Sequence, residues 1–286
     1  MQWWCSATGQ PWTWAWRPYP GVWLLVGLLS LWYLRIRRLE SVGGAAAPPP
    51  GQHTAWYASG VFCIWLALDW PIGALGAGYL ASFHTVTYIL LSLVAPPCLI
   101  LGIPDAAMRR ALERPRLALA LAVGARPWLG LAVFNAILLA THVPAIVDAA
   151  MRSQVGAMLI DLGWLVGGLF LWWPVMGPSP AVVRLRRPLK LGYLFLSTLV
   201  PIIPSAFLTF ADYPLYATYE LAPRIWPILT AQQDQQVAGL LMKIIGDLPI
   251  WFGFGVIFFR WAKEEAGTPP PAHLGARTRG GEARRL

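Results

Sequence analysis

The chain has 286 residues, of which 57% are hydrophobic and only 12% are charged. A soluble globular protein usually carries about twice that charged fraction, so the composition argues against a soluble enzyme or binding module and favours a membrane protein. The net charge of +9 would suit a nucleic-acid partner, but the basic residues stand in loops between long apolar runs, where they orient a membrane protein instead. We therefore expect no nucleic-acid partner.

The segment before the first apolar run is rich in tryptophan, with Trp3, Trp4, Trp12, Trp14 and Trp16. It has neither the basic start nor the apolar centre of a signal peptide. Because tryptophan favours the membrane–water interface, this segment is predicted to lie along the outer headgroups. It also carries Cys5, one of three cysteines whose odd number and spacing indicate neither a disulfide framework nor a zinc site.

Seven apolar runs follow, and they are long enough to suggest membrane crossing, which takes a helix of about 20 residues. The runs are continuous rather than alternating, which is typical of helices and not of strands. They span residues 20–36, 53–70, 79–102, 127–147, 155–175, 191–211 and 236–261. The predicted fold is therefore all-α, a polytopic membrane bundle of seven transmembrane helices.

The basic residues of the connecting segments alternate strictly between the two sides of the membrane, eighteen on one side and three on the other. The larger set consists of Arg35, Arg37, Arg38, Arg109, Arg110, Arg114, Arg116, Arg126, Arg184, Arg186, Arg187, Lys190, Arg260, Lys263, Arg277, Arg279, Arg284 and Arg285. The smaller set consists of Arg17, Arg152 and Arg224. Because cytoplasmic loops carry the excess of Lys and Arg, this count predicts an N-terminus outside and a C-terminus in the cytoplasm.

Composition divides the chain into three parts. Residues 1–52 hold the Trp-rich external segment, the first transmembrane helix and a linker that contains Pro48-Pro49-Pro50. Residues 53–263 form a six-helix membrane core. Residues 264–286, which are rich in Gly, Pro and Arg, are expected to form a disordered basic cytoplasmic tail.

Polar and sulfur-containing side chains inside the apolar runs point to a candidate site. With the predicted orientation, five of them from four helices share one depth band in the outer half of the bundle: His84, His142, Met158, Asp161 and Met242. Imidazole and thioether ligands suit Cu(I), so this set is a candidate copper site. The alternative is structural, since a buried His often bonds to a neighbouring helix and a Met often fills a core.

Two further features of the apolar runs have simpler explanations. Lys243 and Asp247 are four residues apart on one helix face, and we expect them to neutralise each other rather than to form a proton relay. Pro96-Pro97, Pro201 and Pro204 predict kinks in the third and sixth runs. The chain shows no soluble catalytic motif and no evident nucleophile–base pair, so we expect no enzymatic activity.

Four stretches of the sequence, taken together, carry a family resemblance. They are Phe83-His84 with Val94-Ala95-Pro96-Pro97 and Leu101-Gly102-Ile103-Pro104; His142-Val143-Pro144 with Asp148; Leu171-Trp172-Trp173-Pro174-Val175; and Pro214-Leu215-Tyr216 with Tyr219, Asp234-Gln235-Gln236-Val237-Ala238-Gly239-Leu240, Met242 and Phe259-Arg260-Trp261. Their order and spacing resemble the CtaG family of cytochrome c oxidase assembly factors, named for caa-type oxidases, over roughly residues 55–263. The resemblance implies a protein of the bacterial plasma (inner) membrane that helps to mature the haem–copper oxidase by handling copper on the outer side.

The chain departs from this resemblance where the family commonly has histidines. Tyr88 replaces a second His on the same helix, and Ala157 and Asp161 replace a His pair. Tyrosine is a poor ligand for Cu(I) and aspartate is a hard one, so metal could be bound through other residues or not at all. The remaining candidate site residues are Tyr88, Asp148, Asp234 and Gln235.

Three functions therefore stay open. The first is an oxidase assembly factor that handles copper, the second is a metal-free scaffold that binds oxidase subunits, and the third is a copper transporter. The resemblance implies cytochrome c oxidase subunits as partners within the lipid bilayer, and a periplasmic copper chaperone is a further candidate partner.

Overall fold

A computed structural model describes residues 2–42, 51–177 and 185–267, and all regular secondary structure in these ranges is helical. The helices in chain order are α1 (Pro20–Val42), α2 (Gly51–Leu68), α3 (Ile72–Gly78), α4 (Ala81–Leu101), α5 (Asp105–Leu112), α6 (Pro115–Gly124), α7 (Pro127–Ala140), α8 (Pro144–Met151), α9 (Gln154–Met176), α10 (Arg187–Ser197), α11 (Ile202–Phe210), α12 (Ala217–Glu220) and α13 (Ala231–Ala266). The predicted all-α fold is confirmed over these ranges.

Four spans are long and apolar enough to cross a membrane. They are α4, α9, α13 and the stretch Arg187–Phe210 that joins α10 to α11. Two bent pairs, α2 with α3 and α6 with α7, raise the number to six if each pair is one span. The helix α1 is not among them, because its C-terminal third carries Arg35, Arg37 and Arg38. A polytopic bundle is thus supported, and the seventh span and the orientation stay predictions.

Prolines reshape the two helices that carry most of the candidate residues. Pro96 and Pro249 each lack the N–H that would bond one helical turn back. The turn before each proline is π-helical, with the N–H of Ala95 donating to Leu90 O and the N–H of Gly246 donating to Leu241 O, five residues back in both cases. The helices α4 and α13 therefore continue past their prolines, with one residue inserted into the turn.

The long helix α9 runs through the centre of the bundle, between α4 and α7. Two adjacent glycines allow this position, because they present no side chain to either neighbour. Gly167 faces Phe134 and Ile137 on α7, and Gly168 lies against the backbone of Ser92 on α4. A Cβ added at Gly168 would come within 2.7 Å of the Ser92 Cα, so only glycine fits this crossing.

Several predicted boundaries differ from the observed ones. The run 53–70 ends at Leu68, after which α3 forms a separate short helix. The run 127–147 breaks after Ala140, because Pro144 starts a new helix and the residue before a proline disfavours helical geometry. The run 191–211 breaks between α10 and α11 at Pro201, as its prolines predicted. The helices α5 and α6 lie in the arginine-rich connection, where no helix was predicted.

The N-terminal segment also differs from its prediction. Trp14 and Trp16 are 60% and 59% exposed, as an interfacial segment requires, but Trp4 is only 2% exposed and is part of the bundle core. The predicted ion pair of Lys243 with Asp247 is confirmed, with 2.6 Å between Nζ and Oδ2. Most of the predicted linker and of the predicted C-terminal tail falls outside the described residues.

Replacing Gly168 with alanine is expected to loosen the crossing of α9 with α4. The added Cβ would collide with backbone atoms of Ser92, and overpacking of this kind costs about 1–3 kcal/mol. Gly192→Ala is the matched control, because a Cβ at Gly192 meets nothing within 4 Å. Both changes gain the same helix propensity, so the difference between their apparent Tm values in detergent isolates the collision. Equal Tm values would contradict the proposed role of Gly168.

Candidate functional site

His84 lies near the N-terminus of α4, and a buried carboxylate fixes that N-terminus. Asp234 Oδ2 accepts a hydrogen bond of 2.6 Å from the N–H of Ala81, and the Ser82 hydroxyl donates to the same carboxylate. These bonds satisfy N–H groups that have no partner within the helix. Asp234, which was predicted as a site residue, thus positions the turn that carries His84.

The imidazole of His84 has an unused nitrogen. Its Nε2 is buried and has no hydrogen-bond partner. The ring packs between two aromatic side chains, with centroid distances of 4.7 Å to Trp164 and 5.8 Å to Tyr219. A buried polar atom without a partner is uncommon in proteins and marks a position where a water or a ligand can bind.

His84 lines a small cavity of about 10 Å³, which is close to the volume needed for one water molecule or ion. Four other side chains with lone pairs line the same cavity: Cys5, Thr87, Met151 and Asp161. Thr87 lies on α4 with His84 and donates to Ala67 O, whereas Cys5, Met151 and Asp161 come from three further segments of the chain. Sequence reasoning predicted His84 and Asp161 here but missed Cys5 and Met151.

Cys5 reaches the cavity because the N-terminal strap, residues 2–19, crosses this end of the bundle. The indole N–H of Trp4 donates to Asp161 Oδ2 at 2.8 Å, and the N–H of Ala7 donates to Met151 O at 2.9 Å. The Cys5 thiol donates to Leu68 O at 3.1 Å. Burial, followed by the nearby Asp161 carboxylate, raises the pKa of the Cys5 thiol well above its usual value. The thiol is therefore protonated at neutral pH.

His142 faces a different space. Its Nδ1 donates to Leu138 O at 2.7 Å, and the residue lines an open groove of about 290 Å³ between α7 and α11. Tyr88 and Trp164 stand between the two histidines: the Tyr88 ring lies 5.7 Å from His142 and 5.5 Å from Trp164. The structure thus brings His84 and His142 to the same end of the bundle but into separate spaces.

The two predicted methionines do not line the His84 cavity. Met242 is buried in the π-helical turn of α13, and Met158 is half-buried against the core. Within residues 2–42, 51–177 and 185–267, no group of three or more His, Cys, Asp or Glu side chains is arranged to hold a metal ion. The five residues predicted as a copper site thus line no single cavity.

Comparison with known proteins identifies the family. Residues 30–264 match the family model described as cytochrome c oxidase caa3 assembly factor (Caa3_CtaG). The chain belongs to this family. No curated protein and no solved structure matches it significantly. The match covers α2 to α13 and most of α1, but the N-terminal strap with Cys5 lies outside it.

Two other candidate residues of this Caa3_CtaG member hold the loop that covers His84. Asp148 accepts hydrogen bonds from the N–H groups of Ala217 and Thr218, at 3.2 and 2.9 Å, which fixes the start of α12. Gln235 accepts a bond of 2.6 Å from the N–H of Leu215. The loop carries Tyr219 over the His84 ring. These contacts assign Asp148 and Gln235 structural roles.

Asp69 was also missed by sequence reasoning. It lies between α2 and α3 and is 1% exposed, and the Trp65 indole and the Trp70 backbone N–H face its carboxylate as donors. Its position after a long apolar run resembles an ordinary helix end, so nothing in the local sequence signals its burial. The bond of Trp4 with Asp161 joins residues 157 positions apart, and that of Cys5 with Leu68 joins residues 63 apart, which helical periodicity cannot detect.

Replacing Trp4 with phenylalanine is expected to release the N-terminal strap. The change keeps an aromatic ring but leaves the buried Asp161 carboxylate without its indole donor, which costs about 1–3 kcal/mol. We expect a lower apparent Tm and faster reaction of Cys5 with a maleimide, in a chain whose Cys63 and Cys98 are replaced by alanine. Trp14→Phe, at an exposed position, is the control and should change neither quantity. Unchanged Cys5 reactivity in Trp4→Phe would reject this role of the indole.

Proposed function

We propose that this member of the Caa3_CtaG family assists cytochrome c oxidase maturation by handling Cu(I) in the His84 cavity. Membership in an assembly-factor family supports a non-catalytic role in oxidase maturation. The observation that carries the copper proposal is the buried Nε2 of His84, which has no partner and borders a cavity of ion size. Copper is the cargo in this proposal and not a resident cofactor.

The chemistry of the cavity fits a soft monovalent ion. Imidazole, thiolate and thioether are the ligand types that suit Cu(I), and His84, Cys5 and Met151 would supply one of each, with the Cys5 thiol giving up its proton to solvent as the ion binds. Asp161 is a hard donor already bonded to Trp4, so we assign it to orienting the strap. His142 at its open groove, together with Met158 and Met242, remains a candidate for a second copper contact.

A metal-free scaffold is the second candidate, and two observations favour it. The described residues contain no ready arrangement of three His, Cys, Asp or Glu ligands. Tyr88, Ala157 and Asp161 stand where the family resemblance places histidines. In this alternative the groove at His142, lined by Val143 and Phe207, would receive an oxidase subunit.

A copper transporter is less well supported, because it would need donors along the whole bundle. The ionisable side chains in the middle of α13 are Lys243 and Asp247, and they bond to each other. An ion pair of this kind is already neutralised and is a weak binding site for a cation.

We further propose the orientation in which the His84 cavity lies on the periplasmic side of a bacterial inner membrane. Arg17 and Arg152 are at the cavity end of the bundle, while Arg109, Arg114 and Arg116 are at the opposite end, as the positive-inside rule requires. This orientation includes α1 as a seventh span ahead of a six-helix core at 53–263. Oxidase subunits and a periplasmic copper chaperone are the proposed partners at the cavity end.

Cysteine labelling tests this orientation. Arg152→Cys should react with a membrane-impermeant maleimide in intact cells, whereas Arg116→Cys should react only after the membrane is opened. Both residues are exposed, so access to the reagent depends on the side of the membrane. In both variants the three native cysteines are replaced by alanine. The reverse labelling pattern would overturn the proposed orientation.

Copper binding tests the function. We expect His84→Ala to lower Cu(I) affinity at least about tenfold in competition with a chromophoric Cu(I) chelator, because the buried Nε2 of this imidazole has no hydrogen-bond partner and is free to bind the ion. His53→Ala is the matched control, since His53 lies at the opposite end and bonds to Leu101 O. The Cu(I) affinity of His142→Ala, alone and combined with His84→Ala, tests whether His142 is a second copper contact.

The same variants separate the two candidate functions. A copper-handling factor predicts that His84→Ala lowers oxidase activity in cells and that added copper restores part of it. A scaffold predicts no copper on the purified wild-type protein and normal association of His84→Ala with oxidase subunits. Unchanged Cu(I) affinity in His84→Ala would reject the copper proposal for this residue.

A further inference from the structure

The arginine-rich end of the bundle contains a large lateral cleft of about 490 Å³, far from the His84 cavity. Its walls are the C-terminal part of α1, the ends of α4 and α9, and the short helices α5 and α6. The lining is almost entirely apolar, and small residues on the two short helices keep it open: Ala107, Ala111, Ala120 and Gly124. No residue of the predicted or proposed copper sites lines this cleft.

A hydrogen bond and an aromatic stacking contact hold the walls of the cleft in place. The Trp173 indole N–H donates to Leu121 O at 3.2 Å, which fixes α6 against α9. On the other side, the rings of Tyr33 and Tyr57 stack at 4.1 Å, which fixes α1 against α2. The cleft is therefore part of the folded structure and not a gap between unconnected helices.

Size decides what the cleft can accept. A transmembrane helix runs along the whole ~30 Å hydrocarbon layer and needs a groove of similar length to pack into. The cleft extends from Leu29 to Ile36 on α1, which is about 10 Å along the helix axis. A narrow, flexible, fully apolar chain fits these dimensions better than a helix does.

Charge indicates which lipid that chain belongs to. The polypeptide that borders the cleft carries exposed arginines at this end of the bundle, namely Arg35, Arg109, Arg114 and Arg116. Arg35 precedes the lining residue Ile36, and Arg116 precedes the lining residue Leu117. Guanidinium groups bind phosphate groups with two parallel hydrogen bonds, so they favour an anionic headgroup at the mouth of the cleft.

We propose that this cleft is a binding site for one anionic phospholipid, with an acyl chain between α1, α6 and α9 and the phosphate among the arginines. The amphipathic helix α5 provides both parts of this site. Its residues Ala107, Met108 and Ala111 line the cleft, while Arg109 lies on another face. This site is independent of the copper proposal, since the two lie at opposite ends of the bundle.

Filling the cleft tests the proposal. The double variant Ala111→Phe with Ala120→Phe places two rings in the space for the acyl chain, and Ala136→Phe, on the exposed face of α7 outside the cleft, is the control. After purification in a mild detergent, native mass spectrometry should find phosphatidylglycerol on the wild type and on the control. The filled variant should retain at least fivefold less. Equal retention by all three proteins would overturn the proposal.

The arginines are tested separately, so that the result does not depend on how the filled variant folds. Delipidated wild type should show a larger increase in Tm with phosphatidylglycerol than with phosphatidylcholine. The triple variant Arg109→Gln, Arg114→Gln, Arg116→Gln should lose this difference but keep the response to phosphatidylcholine. No preference for phosphatidylglycerol in the wild type would reject an anionic lipid. A filled variant that keeps its lipid but loses co-purifying oxidase subunits would instead assign the cleft to a protein partner.

Discussion

The crossing of α9 over α4 at Gly168 sets the geometry of the candidate site. From Gly168 toward the cavity, Trp164 and Asp161 follow on the same face of α9, at the four- and three-residue steps that keep helical side chains in one row. On α4 the facing row is Ser92, Tyr88 and His84, four residues apart each time. Because the backbones touch at Ser92 and Gly168, each later pair meets: Tyr88 with Trp164, and His84 with Trp164 and the Asp161 cavity. One glycine thus aligns two rows of side chains.

The N-terminal strap provides the hydrogen-bond donor for a buried acidic side chain of α9. Burying the carboxyl group of Asp161 costs free energy unless a donor bonds to it. Trp4 supplies this donor, and the strap that carries it lies outside the family match. The same strap brings Cys5 to the cavity that Asp161 lines, so one segment provides both the donor for this carboxylate and a sulfur atom beside His84.

Sequence reasoning predicted the features that depend on local pattern and failed for those that depend on distant contacts. Apolar run length located α4, α9 and α13, and helical spacing predicted the bond of Lys243 with Asp247. The sequence also predicted that His84 and Asp161 lie at the same depth in the membrane, because the order and direction of the spans determine how deep each residue lies. Depth does not determine direction around a helix axis, however, so His142 was grouped with His84 although Tyr88 and Trp164 separate them. Cys5 could not be found, because a non-helical strap has no periodicity that shows what it contacts, and Met151 lies between the predicted runs 127–147 and 155–175.

The size of the His84 cavity limits how copper could reach it. A space of about 10 Å³ has room for one water or one ion but not for an ion with its hydration shell. A Cu(I) ion would therefore have to exchange ligands directly, leaving a donor protein as His84 and the sulfur atoms replace its previous ligands. Such exchange requires the donor to approach the cavity, and the N-terminal strap occupies that approach. The proposed function thus requires the strap to move, and three bonds to cavity-lining residues oppose this movement: Trp4 with Asp161, Cys5 with Leu68 O and Ala7 with Met151 O.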